Sequence, residues 1–194
     1  TYPFQIMLLS FAPNFRHFLH RQGVYHAPYW SCFDAIQEVE RKKVSLFSFH
    51  NLNWPKHIEF VYTPFVIVAM LNGQKYAQIE FGEDGNMIQI DIYKDGALQR
   101  RNIYDDRGFV SSTIIYDERG MVYQDYLTDK GVWKIREYQD GHVEINSKSD
   151  TYLIKDKNQE TVRKFKKNVY ESISEVICEV TATYVQRMSD NDIL

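Results

Sequence analysis

A chain of 194 residues with 44% hydrophobic and 25% charged side chains has the makeup of a globular protein that buries a core. Its formal net charge of −3 argues against broad nucleic-acid binding, and two distant cysteines, Cys32 and Cys178, without CxxC spacing argue against a disulfide framework or a thiolate zinc site and fit a reducing cytoplasm. No apolar run reaches bilayer-spanning length, and residues 5–9 are too short and lack the basic leader of a signal peptide.

Residues 4–11 are a short apolar run and read as a buried strand. Asn14 offers a side-chain oxygen to orphan backbone N–H groups, which predicts a helix over 15–22. Gly23 tolerates the left-handed conformation that ends it. Strand, turn and helix make half of a βαβ unit. A second helix is predicted from Ser31 to about residue 40, with Asp34 three residues on in a capping-box-like pattern. Residues 44–49 (VSLFSF) alternate weakly and read as a strand, and Pro55 pushes Trp54 out of the helical region.

From residue 58 the pattern changes. Glycines recur at 73, 85, 96, 108, 120, 131 and 141, an internal repeat of about ten to twelve residues. Most follow polar turn formers such as Asn72, Asp84, Asp95 and Asp140. Between them lie β-rich segments at 75–82, 87–93, 98–105, 109–117, 121–128, 132–139 and 142–147, with period-2 alternation clearest in 87–93 (MIQIDIY). The turns are too short for crossover helices, so an antiparallel up-and-down meander of about eight strands is predicted. Ser111, Ser112, Thr113, Gln124 and Asp125 interrupt the apolar faces. Such a sheet is covered only in part, or leaves a broad face for a partner.

Residues 147–169 are polar and lysine-rich and read as a linker. Ser172 and Glu175 form a capping box, after which Ile173, Val176, Ile177, Val180 and Tyr184 follow helical spacing. This helix needs a surface to pack on. The first forty residues are the natural candidate, which makes the meander an insertion into an α/β domain. An opening Thr1 in place of Met, and a strand-like start at residues 192–194, suggest a chain that continues at both ends.

Chemistry-bearing constellations are sparse. His17 and His20 share a helix face, but no further ligand is near in sequence, and His26, His50, His57 and His142 are isolated. Asp105-Asp106 and Asp117-Glu118 offer adjacent carboxylates where hairpin turns also demand acidic residues. There is no glycine-rich phosphate loop, G-x-S-x-G elbow or H-E-x-x-H. Lys155, Lys157, Arg163, Lys164, Lys166 and Lys167 make a basic stretch, either a solvated linker or a contact for anionic lipid. Tyr93, Tyr104, Tyr116, Tyr126 and Tyr138 recur once per strand with Trp133 among them. They read either as cross-strand pairs holding a thin sheet together or as an aromatic platform for an extended peptide or sugar rings.

Residues 12–22 (APNFRHFLHRQ), 29–31 (YWS), 52–55 (LNWP), 61–65 (VYTPF), 79–82 (IEFG), 105–109 (DDRGF), 123–127 (YQDYL) and 131–136 (GVWKIR) together resemble, in order and spacing, the first of the accessory secretory proteins. That family serves the accessory Sec system of Gram-positive bacteria, which exports serine-rich repeat adhesins. Residues 103–108 and 115–120 also resemble tyrosine–aspartate repeats of secreted toxins and wall proteins, a likeness of turn chemistry.

The family resemblance implies an α+β architecture: a long antiparallel β-meander over 56–148, inserted in a Rossmann-like domain of a GT-B-like protein that has lost glycosyltransferase activity. Residues 1–55 are then part of that domain, and 149–194 are a linker and a helix returning to it. No catalytic residue, metal or cofactor is implied. The implied partners are a serine-rich repeat preprotein, the other accessory secretory proteins and the accessory Sec translocase, met in the cytoplasm or at the inner face of the membrane. Tyr93, Tyr104, Tyr116, Tyr126, Trp133 and Tyr138 are the expected contacts. Two alternatives stand beside this: the acceptor-binding part of an O-GlcNAc transferase, and a purely structural platform.

Overall fold

The computed structural model describes residues 4–41, 43–45, 48–155 and 160–191. The strand start expected at 192–194 lies outside them, as do residues 46–47 of the strand expected over 44–49. Phe49 instead opens a 3-10 turn, Phe49–Asn51, capped by the Ser48 hydroxyl.

The N-terminal strand is shorter than its apolar run. β1 (Ile6–Leu8) pairs in parallel with β2 (Tyr29–Ser31), and α1 (Phe15–Arg21) connects them, so the strand–helix–strand unit is complete. β2 runs directly into α2 (Cys32–Ile36), where the Ser31 hydroxyl accepts from the Asp34 N–H at 3.2 Å. α2 stops short of residue 40. Glu38 takes a left-handed φ of 50°, and the Gln37 amide leaves the helix to donate to the Ser111 and Leu127 carbonyls at 2.7 and 2.5 Å.

The meander is a single antiparallel sheet. Its strands are β3 (Ile58–Tyr62), β4 (Val66–Leu71), β5 (Gln74–Phe81), β6 (Met87–Lys94), β7 (Ala97–Asp105), β8 (Phe109–Asp117), β9 (Gly120–Leu127), β10 (Trp133–Tyr138) and β11 (Val143–Ile145). The Asn72-Gly73 and Asp95-Gly96 turns have positive φ at both residues, the conformation that matches the twist of paired strands. Just past each of six successive turns, one residue has no cross-strand partner: Tyr76, Ile88, Gln99, Ser111, Val122 and Lys134. These in-phase bulges add twist strand by strand.

Residues 147–169 are not a linker. They form a hairpin of β12 (Thr151–Lys155) and β13 (Glu160–Lys164), then β14 (Val169–Tyr170), which pairs with β11 as the tenth strand of the sheet. Tyr152, Leu153 and Ile154 are buried, while Lys155 pairs with Glu160, Lys164 with Asp150 and Lys167 with Glu175, so the polar composition concealed an apolar strand. α3 (Ile173–Asn191) follows as the capping box predicts. The Glu175 N–H donates to the Ser172 hydroxyl, and the Glu175 carboxylate accepts from the Glu171 N–H. Val176, Val180 and Tyr184 are buried, with Ile173 and Ile177 packed beside them. No described helix is long and apolar enough to cross a membrane.

Cross-strand partners share a face, so the register separates the two sides of the sheet. One side carries Ile67, Ala69, Ala77, Ile79 and Ile90 over β4–β6, covered by Phe49, Leu52 and Trp54. The other side carries Tyr126, Ile135, Ile145, Val143 and Tyr170 over β9–β14, covered by α2, α3 and the β12–β13 hairpin. The two cores therefore lie on opposite faces at opposite ends. Each fully buried aliphatic side chain contributes about 1.5–3 kcal/mol. Each end also leaves its second face open.

Candidate functional site

The hairpin turn at residues 105–108 joins the meander to the N-terminal segment. Arg107 makes a bidentate fork to Asp34 at 2.7 and 2.9 Å and a second to Asp105 at 2.6 and 2.8 Å. Burial opposes its charge, but the two carboxylates outweigh this and hold the guanidinium well above its ordinary range. Asp106 accepts from the Arg16 and His17 backbone N–H groups at 2.9 and 3.1 Å, so it caps α1. Asn14, the expected cap, makes no capping bond; its oxygen accepts from Asn86 at 3.4 Å. These carboxylates are thus more than turn formers. Sequence offers little signal for them, because their partners lie far away along the chain.

A cleft of about 760 Å³ opens beside this joint, lined by His17, His20, Tyr25, His26, Asp84 and Tyr104 among others. His17 Nδ1 lies 3.4 Å from Asp84 Oδ2. Among the described residues no three His, Cys, Asp or Glu side chains gather as metal ligands. Burial pushes the Cys32 thiol up to about 12, which leaves it inert as a nucleophile.

The aromatic series divides three ways. Tyr104 and Tyr126 are core residues, 3% and 5% exposed, and cannot belong to a surface platform. The strands twist them inward, and Tyr126 donates to Glu137 at 2.9 Å. Trp133 and Tyr138 lie half-buried on the open face of β9–β11, where two residues missed in sequence join them. Arg136 lies 3.9 Å from the Tyr123 ring centre and 4.9 Å from that of Trp133, and forks onto Asp125 at 2.7 and 2.9 Å. Tyr138 stands opposite Tyr123, stacks on His142 at 4.3 Å and donates to Glu144 at 2.8 Å. Counting outward from the Leu127–Trp133 pair would set Asp125 opposite Ile135 and Tyr123 opposite Glu137. The unopposed Lys134 shifts the register so that Asp125 meets Arg136 and Tyr123 meets Tyr138, which is why the strip was not legible in sequence. Tyr93 and Tyr116 lie outside this strip, along a groove between β5 and β8. The open strip on β9–β11 therefore presents rings, a guanidinium and carboxylates in fixed order, with no nucleophile–base pair among them.

The family model described as an accessory Sec system protein, the first of the accessory secretory proteins, matches residues 1–193. The Streptococcus gordonii protein of that description is 37% identical over 193 residues, covering 98% of this chain and 34% of the relative. The Staphylococcus aureus one is 37% identical over 147 residues, 75% of this chain and 28% of the relative. Among solved structures, the Glycosylation Associate Protein (Gap123) complex from Streptococcus agalactiae matches with a TM-score of 0.86 at 36% identity, over 95% of this chain and 35% of that one. Accessory secretory protein 1,2 and 3 in Streptococcus pneumoniae gives 0.83 at 31% identity, over 94% and 35%. A GtfA/B complex bound to UDP and GlcNAc shares the fold, with a TM-score of 0.61 at 14% identity over 95% of this chain and 42% of that one. The chain spans about a third of the length of the curated relatives it matches. On a family match over nearly its whole length, and on two relatives of the same description, the chain belongs to the family of the first accessory secretory protein of the accessory Sec system.

Proposed function

We propose that this chain is the non-catalytic, sheet-bearing part of an accessory secretory protein. Its meander, residues 56–148, is set into a Rossmann-like domain represented by 1–55 and 149–194. It holds a serine-rich repeat preprotein in the cytoplasm before the accessory Sec translocase, while other accessory secretory proteins assemble with it. The observation that carries this reading is the open Tyr123–Arg136–Trp133–Tyr138 strip on a ten-stranded single-layer sheet. A disordered, serine-rich chain offers hydroxyls and amides but little apolar area, so a broad array of modest contacts suits it better than one deep pocket.

The test uses the full-length protein assembled with its partner accessory proteins and a fluorescein-labelled, unglycosylated serine-rich peptide. Wild type binds, and the Trp133→Ala, Tyr138→Ala double variant binds about tenfold or more weakly. Absence of binding by wild type overturns the reading. Intact peptide binding with loss of partner assembly in the double variant favours a structural platform instead. Turnover of UDP-GlcNAc by the full-length protein favours a transferase role, which the fold shared with the GtfA/B complex brings into view.

A further inference from the structure

The groove that holds Tyr93 and Tyr116 shares no lining residue with the β9–β11 strip and has a different chemistry. It measures about 610 Å³ and crosses the turn ends of β5 to β8. Two of its lining residues, Tyr76 and Gln99, are unopposed bulge residues. Neighbouring bulges thus break the flat sheet at one place and re-aim side chains there. Four strands at about 4.8 Å spacing span about 14 Å, the length of roughly four extended residues.

The groove is rich in donors and poor in acceptors. Lys75, Lys94 and Arg100 face a single carboxylate, Asp95, on a chain whose net charge is negative. Lys75 is already engaged: its ammonium sits 4.0 Å from the Tyr93 ring centre and donates to Gln78 at 2.7 Å. Arg100 is not. Its neighbour Arg101 forks onto Asp91, Arg107 onto Asp34 and Asp105, and Arg136 onto Asp125. Arg100 is exposed and makes no ion pair with another described residue. Leu71, Ile92 and Ile115 supply apolar footing beside it.

We propose that this groove binds an acidic, extended segment of a partner polypeptide, with carboxylates on Arg100 and Lys94 and an apolar side chain on Ile92 and Ile115. A guanidinium with no ion-pair partner among the described residues is available for the planar, two-bonded recognition of a carboxylate that Arg101, Arg107 and Arg136 already perform. The neighbouring tyrosine rings lower the local dielectric and supply hydroxyl donors. This proposal does not rest on the preprotein reading, since serine hydroxyls and backbone amides do not call for a guanidinium and an ammonium side by side.

The experiment measures fluorescence anisotropy with the full-length protein. The probe is a labelled peptide of about ten residues alternating Glu with Leu and Tyr, and its control carries Gln for Glu. The Glu peptide binds, the Gln peptide does not, and binding weakens as salt is raised. Arg100→Glu and, separately, Lys94→Glu weaken it about tenfold or more. Both side chains are exposed, and unchanged urea midpoints verify the folds of the variants. Arg100→Glu leaves serine-rich peptide binding intact, and the Trp133→Ala, Tyr138→Ala variant leaves the Glu peptide bound, so failure here is distinguishable from failure of the strip. Equal affinity for the two peptides, or affinity unmoved by Arg100→Glu, overturns the proposal. So does binding to phosphatidylglycerol vesicles without binding to the Glu peptide.

Discussion

Asp106 accepts two backbone N–H groups through one oxygen while the other is buried without a hydrogen bond. Burial, and next the charge of Asp105, push its carboxyl up to about 6. A carboxyl raised in the folded state holds its proton more tightly there than in the unfolded chain. Its contribution to stability is therefore fully present below about pH 4 and is lost as pH rises through about 6. Asp106→Asn keeps an oxygen for the helix N-terminus and removes the titration. Urea midpoints measured from about pH 4 to 7 should fall in wild type relative to the variant as pH rises, and parallel profiles would refute the assignment. The acid pair was visible in sequence, but its role was not. A cap supplied from about ninety positions away leaves no local pattern, and the local candidate, Asn14, looked sufficient.

Hairpins were the legible elements. Polar residue and glycine at regular intervals located the turns of β5–β11 because positive φ restricts the residue types that fit there. At Gly96, φ is 81° and an added Cβ would meet nothing within 4 Å, so substitution costs backbone strain alone. Gly96→Ala should lower stability by about 1–2 kcal/mol in urea unfolding. A loss of less than about 0.5 kcal/mol would mean that the turn relaxes out of the left-handed region. The β12–β13 hairpin and β14 escaped notice for the converse reason. Residues 142–172 contain no glycine to mark a turn, and the many lysines of the stretch mask the buried Tyr152-Leu153-Ile154 run. The aromatic series was legible as a repeat but not as a face. Six bulges shift the parity of the strands, so Tyr104 and Tyr126 turn inward while Trp133 and Tyr138 stay half-open.

At the scale of the molecule, the described residues form two cores joined by one sheet, with β7 and β8 between them carrying polar contacts such as Thr113 to Asn102 at 3.2 Å. Cooperative units follow buried apolar contacts, so the ends should open separately. Ile79→Ala and Ile135→Ala each empty a site with 0% exposure, one in each core, at about 2–5 kcal/mol. Native-state hydrogen exchange should quicken in β3–β6 for the first, and in β10, β11 and α3 for the second. Uniform acceleration in both variants would show a single unit instead. The Asp106 contact adds an ordering in time. Ribosomes release α1 about ninety residues before the carboxylate that completes its first turn, and a seven-residue helix holds little structure alone. The nascent N-terminal segment must therefore wait for the β7–β8 turn to emerge, and only then does the beginning of the chain lock onto its middle.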